Sequence, residues 1–141
     1  MSLRTEVLRL SPGADLRDGL VQATAKWRRE GVQAACVVSA VGSLSRAVLR
    51  YAAEPQGSVL HEPLELITLS GTLSSDGVHL HASVADARGR MCGGHLMSGC
   101  IVRTTAEIVL ALLTDWHFTR VHDAGTGFKE LVARRLPLTD A

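Results

Sequence analysis

From Gln33 onward the chain is a succession of short runs rich in Val, Ile, Leu and Thr, separated by Gly, Ser and Pro. Such runs, bounded by turn-forming residues, are typical of β-strands. A similar alternating run stands near the N-terminus. The pattern predicts strands at Arg4–Leu10, Gln33–Val41, Ser45–Tyr51, Glu65–Ser74, Val78–Ala85, Met91–Met97, Arg120–His122 and Phe128–Arg134. The segment Ala52–Pro63 contains two prolines and a glycine, so it is expected to form a surface loop.

One segment has the spacing of an amphipathic helix. Its apolar residues recur every three or four positions, at Leu16, Leu20, Ala23 and Trp27. Asp15 is a suitable N-cap, and Gly31 stands where a left-handed residue ends a helix. The sequence therefore predicts a helix between Asp15 and Gly31, following the first strand.

The segment IVRTTAEIVLALLT, which begins at Ile101, fits two structures. Its apolar positions partly match a helix, but many of its residues are β-branched, which favours a strand at its start. The predicted fold class is α+β, with a central, largely antiparallel β-sheet and the N-terminal helix packed on it. A length of 141 residues predicts a single domain, 1–141.

The charge balance bears on possible partners. Lys and Arg number 15 and Asp and Glu number 14, which gives a net charge of +1 without long runs of one sign. Proteins that bind DNA through phosphates need a clustered basic surface, so direct DNA binding is not expected. The chain has no apolar run long enough to span a membrane and no secretory signal pattern, so we expect a cytoplasmic protein. Its three cysteines lack the spacing of a redox or zinc motif, which favours reduced thiols.

Three of the six histidines lie between Gly77 and Met97. On a strand, His79 and His81 point to the same face. If the chain turns back through Ala87–Gly89, residues whose numbers sum to 176 pair, and His81 lies opposite His95. His79, His81 and His95 would then form a triangle, the ligand set of a three-His zinc site with an open fourth position.

This interpretation depends on the strand register. A slip of one residue, or a bulge at Gly93 or Gly94, would turn His95 to the other face. The alternative is that the histidines are surface or packing residues. Cys92 falls opposite Val84, facing away from the histidines, and is expected to be a small buried residue.

Several segments together resemble the "plants and prokaryotes conserved" (PPC) domain in its prokaryotic single-domain form. They span most of the chain: AVGSLSRAVLRYA at Ala40–Ala53, ELITLSGTLS at Glu65–Ser74, the HLHASVAD and GGHL elements, and TGFKELV at Thr126–Val132. The resemblance implies an α+β fold and a homotrimer. It also implies a role as a DNA-binding or regulatory module, because plant members carry the domain after an AT-hook.

The chain differs from the plant pattern in two ways. It has no AT-hook, because Met91 follows Arg88-Gly89-Arg90 where proline would be required. It also has the three histidines, through which some prokaryotic members bind a metal, and a trimer would place them near a subunit boundary. Arg46, Glu65 and Arg103 lie in the family-like segments and are candidate pocket residues, although ordinary surface charges are the alternative.

Two functions are therefore open. The first is a homotrimeric DNA-binding or regulatory module without catalysis, which is favoured because the sequence has no nucleophile elbow, phosphate-binding loop or HExxH motif. The second is a metal-dependent hydrolase or small-molecule sensor that uses zinc held by three histidines. Asp86 and Glu107 are the carboxylates considered for acid–base chemistry, but no spacing places them near the histidines.

Overall fold

The computed structural model describes residues 3–137, within which it has nine strands and one helix. These are β1 (Arg4–Leu10), α1 (Leu16–Arg29), β2 (Ala35–Arg50), β3 (Ser58–Leu60), β4 (Leu64–Ser74), β5 (Gly77–Ala85), β6 (Met91–Leu96), β7 (Ile101–Leu112), β8 (Trp116–His122) and β9 (Lys129–Arg135).

Seven strands form one antiparallel sheet in the order β1-β7-β2-β4-β5-β6, with β3 beside β2. β6 pairs with β5 and also with the end of β2, where Leu49 lies opposite Leu96 and Arg50 opposite His95. Strands β2, β4, β5 and β6 therefore close into a ring. This closure brings Arg50 beside the histidine-bearing hairpin.

Helix α1 packs against the sheet through one face. Leu16, Leu20 and Trp27 are buried in the common core. The side chain of Asp15 accepts a hydrogen bond from the backbone N–H of Asp18 at 3.0 Å, which caps the first turn. Gly31 follows the helix with a positive φ of 85°, a conformation that glycine adopts without strain.

The predicted fold class, α+β, is wrong. The described chain is mostly β-sheet, with a single helix of 14 residues. The ambiguous segment is strand from Ile101 to Leu112 as β7, whose central position between β1 and β2 buries Ile108 and Leu110 completely. Its continuous apolar run reflects burial in a central strand and not a helical face.

Two local predictions also need correction. Most of Gln33–Val41 and of Ser45–Tyr51 belongs to one long strand, β2, because the Gly-Ser segment forms register shifts within the strand. A Cβ at Gly42 would lie 2.2 Å from the carbonyl oxygen of Thr105, so only glycine permits this close strand contact. The predicted loop Ala52–Pro63 contains the short strand β3.

Strands β8 and β9 form a separate antiparallel hairpin. Arg120 attaches it to the main sheet: its backbone N–H donates to Asp76 Oδ2 and its guanidinium donates to Thr72 Oγ1, both at 2.9 Å. Thr72 lies opposite His79, so the hairpin is fixed beside the histidines. Across residues 3–137, no helix is both long enough and apolar enough to cross a bilayer.

Candidate metal centre

The β5–β6 hairpin has the predicted turn. The N–H of Asp86 donates to the carbonyl of Arg90 at 2.9 Å, which leaves Ala87–Gly89 as a three-residue loop. Gly89 takes the left-handed conformation with φ of 75°. Asp86 Oδ1 accepts the backbone N–H groups of Arg88 and Arg90, so the turn is fixed from inside.

This turn sets the predicted register, in which His81 lies opposite His95 and Val84 opposite Cys92. The rings of His79, His81 and His95 form a triangle with centroid separations of 5.0, 5.2 and 5.6 Å. Each histidine offers a ligand nitrogen, and these three atoms lie within 4.8 Å of one another. The hairpin therefore brings together all three predicted metal residues.

Gly93 and Gly94 do not bulge the strand but allow it to lie close to both neighbours. A Cβ at Gly93 would lie 2.8 Å from the carbonyl oxygen of Ala82, and one at Gly94 would lie 2.6 Å from that of Arg50. The pairing of β5 with β6 runs without a register shift from Ala85 to His81. The two glycines thus hold His95 on the face that carries His79 and His81.

Burial keeps two of the histidines neutral. It lowers the pKa of His95 to about 4, and the positive charge of Arg50 and the other two imidazoles add to the effect. It also lowers the pKa of His79, where Arg120 and His81 contribute further and Glu130 opposes them. At neutral pH both imidazoles therefore have a free nitrogen lone pair available for a metal.

The residues fit a transition-metal ion. The Nδ1 atom of His95 is buried and has no hydrogen-bond partner within residues 3–137, a costly state that a metal bond or a water would relieve. Tetrahedral zinc, with Zn–N bonds of about 2.0–2.1 Å, needs nitrogens about 3.3 Å apart, so small side-chain rotations would close the triangle. Three neutral ligands would leave the full double charge of the ion uncompensated.

A cleft of about 320 Å³ opens beside this triangle, between it and the β8–β9 hairpin. Its lining consists of Arg50, His79, His95, Phe128, Lys129 and Glu130. The sequence did not indicate Arg50, Lys129 or Glu130 as site residues. They reach the histidines through the β2–β6 pairing and the Arg120 attachment, and no local motif signals either contact.

The three candidate pocket residues do not join the histidines. Glu65 and Arg103 line a separate cleft of about 190 Å³ with Asp86. Arg46 instead donates to the carbonyl of Gly99 at 3.1 Å and does not line that cleft. Their role in ligand binding stays a prediction.

The other side chains considered in the sequence lie apart from the triangle. Asp86 accepts the hydrogen bonds of the turn and forms a salt bridge to Arg90 Nε at 2.8 Å. Glu107 lies on β7, opposite Val41. Cys92 is half-buried against the core rather than fully buried. Within the described residues, His61, His117 and His122 form no comparable group.

Comparison with known proteins decides the family. The model of the Plants and Prokaryotes Conserved (PCC) domain matches residues 1–114. The chain belongs to this family. The resemblance to the PPC domain, another abbreviation of the same name, is confirmed.

Two curated relatives illustrate the range of PPC proteins. The bifunctional protein GlmU of Synechococcus sp. (strain JA-3-3Ab) is 52% identical over 130 residues, which are 92% of this chain and 20% of that protein. The chain thus spans about a fifth of that relative's length. The AT-hook motif nuclear-localized protein 20 of Arabidopsis thaliana is 27% identical, over 85% of this chain and 43% of that protein.

Two solved structures are similar in fold. A hypothetical protein from Salmonella enterica superposes with a TM-score of 0.86 at 38% identity, covering 95% of both chains. A protein from Archaeoglobus fulgidus, described as metal-containing, gives a TM-score of 0.75 at 28% identity, covering 92% of this chain and 93% of that one.

Proposed function

We propose that this PPC protein binds one zinc ion through His79, His81 and His95 and presents an open coordination position to a small-molecule ligand. The observation that carries the proposal is the group of three imidazole nitrogens within 4.8 Å on one sheet face. Three neutral histidines with a fourth position open are typical of zinc sites that act on water or substrate. The Archaeoglobus relative is described as metal-containing, which supports metal binding by this chain.

The test is metal content per chain, measured by mass spectrometry on protein purified without a His-tag. The variant replaces His79, His81 and His95 with alanine. The matched control replaces His61, His117 and His122 with alanine, which removes the same number of imidazoles outside the triangle. About one zinc per chain in the parent and the control, with loss in the variant, supports the proposal; equal metal in both variants contradicts it.

Hydrolysis is a second candidate, favoured by a carboxylate near the triangle. Glu130 lines the cleft with His79 and His95, and Thr126 donates its hydroxyl hydrogen bond to Glu130 Oε1 at 2.9 Å. Zinc held by His79, His81 and His95 would supply activation of water near neutral pH, and such chemistry requires a nearby proton acceptor. Zinc-dependent hydrolysis of small esters that falls in Glu130→Gln would support catalysis with Glu130 as the proton acceptor. Hydrolysis that is independent of zinc, or unchanged in Glu130→Gln, would exclude that mechanism.

We also propose self-association into a homotrimer, the assembly implied by the family resemblance. Three apolar residues on the main sheet support it: Val7, Val41 and Ile67 are 68%, 57% and 44% exposed. Val7 pairs with Val109, which also pairs with Ser39, so strand alternation places Val7 and Val41 on one face. Ile67 follows Leu66, which is buried opposite Gly42, so Ile67 and Val41 both point away from the core. A partner covering the face defined by Val7, Val41 and Ile67 would remove apolar surface from water.

Direct DNA recognition is not the function that the geometry favours. The Arg88-Gly89-Arg90 segment is a closed turn held by Asp86, whereas a minor-groove arm requires basic side chains on an extended free segment. We propose that any regulatory role in the cytoplasm operates through the ligand site and through protein contacts. Salt-sensitive binding of the isolated chain to duplex DNA would contradict this.

A further inference from the structure

The cleft between the histidine triangle and the β8–β9 hairpin has an unusual charge arrangement. Arg50 forms one side and Lys129 another, and Glu130 is the one acidic residue that residues 3–137 contribute to the lining. Arg120, which attaches the hairpin next to His79, adds a further positive charge nearby. The cleft is therefore positive even before a metal binds.

Two of these cations have no partner among the described residues. Within residues 3–137, the side chains of Arg50 and Lys129 make neither a hydrogen bond nor a salt bridge with another residue, although Arg50 is half-buried. A half-buried guanidinium is usually paired with a carboxylate or a phosphate, whose geometry it matches in a bidentate manner. The carboxylate that the described chain places in the cleft, that of Glu130, accepts a hydrogen bond from Thr126.

The hairpin holds this arrangement in place. Asp123 Oδ1 accepts the N–H of Gly125 at 2.7 Å, and the N–H of Asp123 donates to the carbonyl of Phe128 at 2.8 Å. These bonds fix the tip from which Phe128 and Lys129 extend toward the histidines. The side chain of Phe128, 66% exposed, adds an apolar wall. A ligand of a few atoms in this cleft would therefore contact the two cations, the side chain of Phe128 and the metal position.

We infer that the cleft binds a small molecule bearing a carboxylate or phosphate group, which Arg50 and Lys129 hold beside the metal position. The inference deepens the proposed zinc site, because a divalent ion held by three neutral ligands strengthens the attraction for an anion. Because Arg50 and Lys129 are side chains of the protein itself, they also attract an anion when no metal is bound. The cleft volume of about 320 Å³ limits the ligand to a small metabolite.

The test is calorimetric titration at fixed ionic strength with two probes, inorganic phosphate and malonate, which distinguish the two anion classes. Each probe is titrated into zinc-loaded and into metal-free protein after free zinc has been removed. Arg50→Gln and Lys129→Gln remove one cleft cation each. Arg88→Gln is the matched control, because Arg88 is an exposed arginine in the distant β5–β6 turn.

We expect saturable one-to-one binding of at least one probe to the parent. Loss of a charged hydrogen bond should weaken that binding by about tenfold or more in Arg50→Gln, with a smaller loss in Lys129→Gln and none in Arg88→Gln. Binding of neither probe to zinc-loaded protein, or equal binding by Arg50→Gln and Arg88→Gln, would overturn the inference.

Zinc content measured in the same samples separates the two proposals. Stoichiometric zinc without anion binding overturns the anion site and leaves the metal site intact. If the parent holds no zinc, the proposed function fails, and the metal-free titration alone decides the anion site. Saturation that depends on Arg50 then supports the site, and its absence rejects it.

Discussion

His81 on β5 and His95 on β6 are paired directly across the hairpin, with ring centroids 5.6 Å apart, and His79 lies 5.2 Å from His95. The pairing depends on one short turn and on two glycines that let β6 lie between β5 and β2. The metal centre is thus a property of strand register. Changes that move the register should affect metal binding even when they spare every imidazole.

Gly94→Ala should disturb this register. The added methyl would lie 2.6 Å from the carbonyl oxygen of Arg50, so β6 must move away from β2. We expect a loss of about 1–3 kcal/mol in the free energy of unfolding, together with weaker zinc binding. Urea denaturation and metal content measure the two effects.

Gly125→Ala is the matched control for that change. Gly125 lies in the β8–β9 turn, where the nearest atom to an added Cβ is a side-chain oxygen of Asp123 at 3.1 Å, which can move. We expect little change in stability or zinc content. If Gly94→Ala and Gly125→Ala behaved alike, the close β2–β6 contact would not control the site.

Zinc should stabilise the native state, because its three ligands come together only in the folded hairpin. Free zinc at a hundred times its dissociation constant should add about 2.7 kcal/mol, seen as a rise in the melting temperature. The variant with alanine at positions 79, 81 and 95 should show no rise. An equal rise in that variant would place the stabilising zinc elsewhere.

The metal-free protein should lose stability on acidification. The pKa of His95 is lowered to about 4 in the folded state, so below about pH 6.5 the unfolded chain binds a proton that the folded chain does not. The stability that neutral His95 contributes to the folded state is fully present above about pH 6.5 and is lost as the pH falls toward 4. The urea midpoint in the presence of a chelator should therefore fall across this range.

Replacing His95 isolates that effect. His95→Gln should flatten the pH dependence, whereas His61→Gln, which removes an exposed imidazole outside the triangle, should leave it unchanged. Equal slopes in both variants would show that His95 is not the group responsible.

Self-association should depend on the uncovered face. Val41→Glu places a charge among Val7, Val41 and Ile67 and should weaken association by more than about tenfold, because an interface would bury that charge without a partner. Val21→Glu, on helix α1, should have no effect on association. Sedimentation measures both. A monomeric parent at micromolar concentration would contradict the trimer.

The site was predictable where local sequence determines it. The loop Ala87–Gly89 and strand alternation were sufficient to pair His81 with His95. Arg50 and Glu130 were not predictable, since they reach the cleft from strands distant in sequence, through the β2–β6 pairing and the contacts of Arg120. Long-range pairing of this kind leaves no periodic signal in the chain.

The fold, too, was predictable where local sequence determines it and not where long-range strand pairing does. Helix α1 had a clear apolar spacing and a cap, and its residues Leu16 and Trp27 are buried as that spacing requires. The α+β class is wrong because one clear helical pattern does not reveal the length of β2 and β7, strands of 16 and 12 residues that make the chain mostly sheet. At Gly42, a residue type that usually ends a strand instead permits close contact with Thr105 inside one.

The most direct test of the central claim is X-ray absorption at the zinc edge on zinc-loaded protein. The account predicts three imidazole nitrogens at about 2.0–2.1 Å and one light oxygen ligand at the open position. A sulfur ligand at about 2.3 Å, from a cysteine such as Cys92, would contradict it. The account would also be contradicted if His79, His81 and His95 together did not hold one zinc per chain.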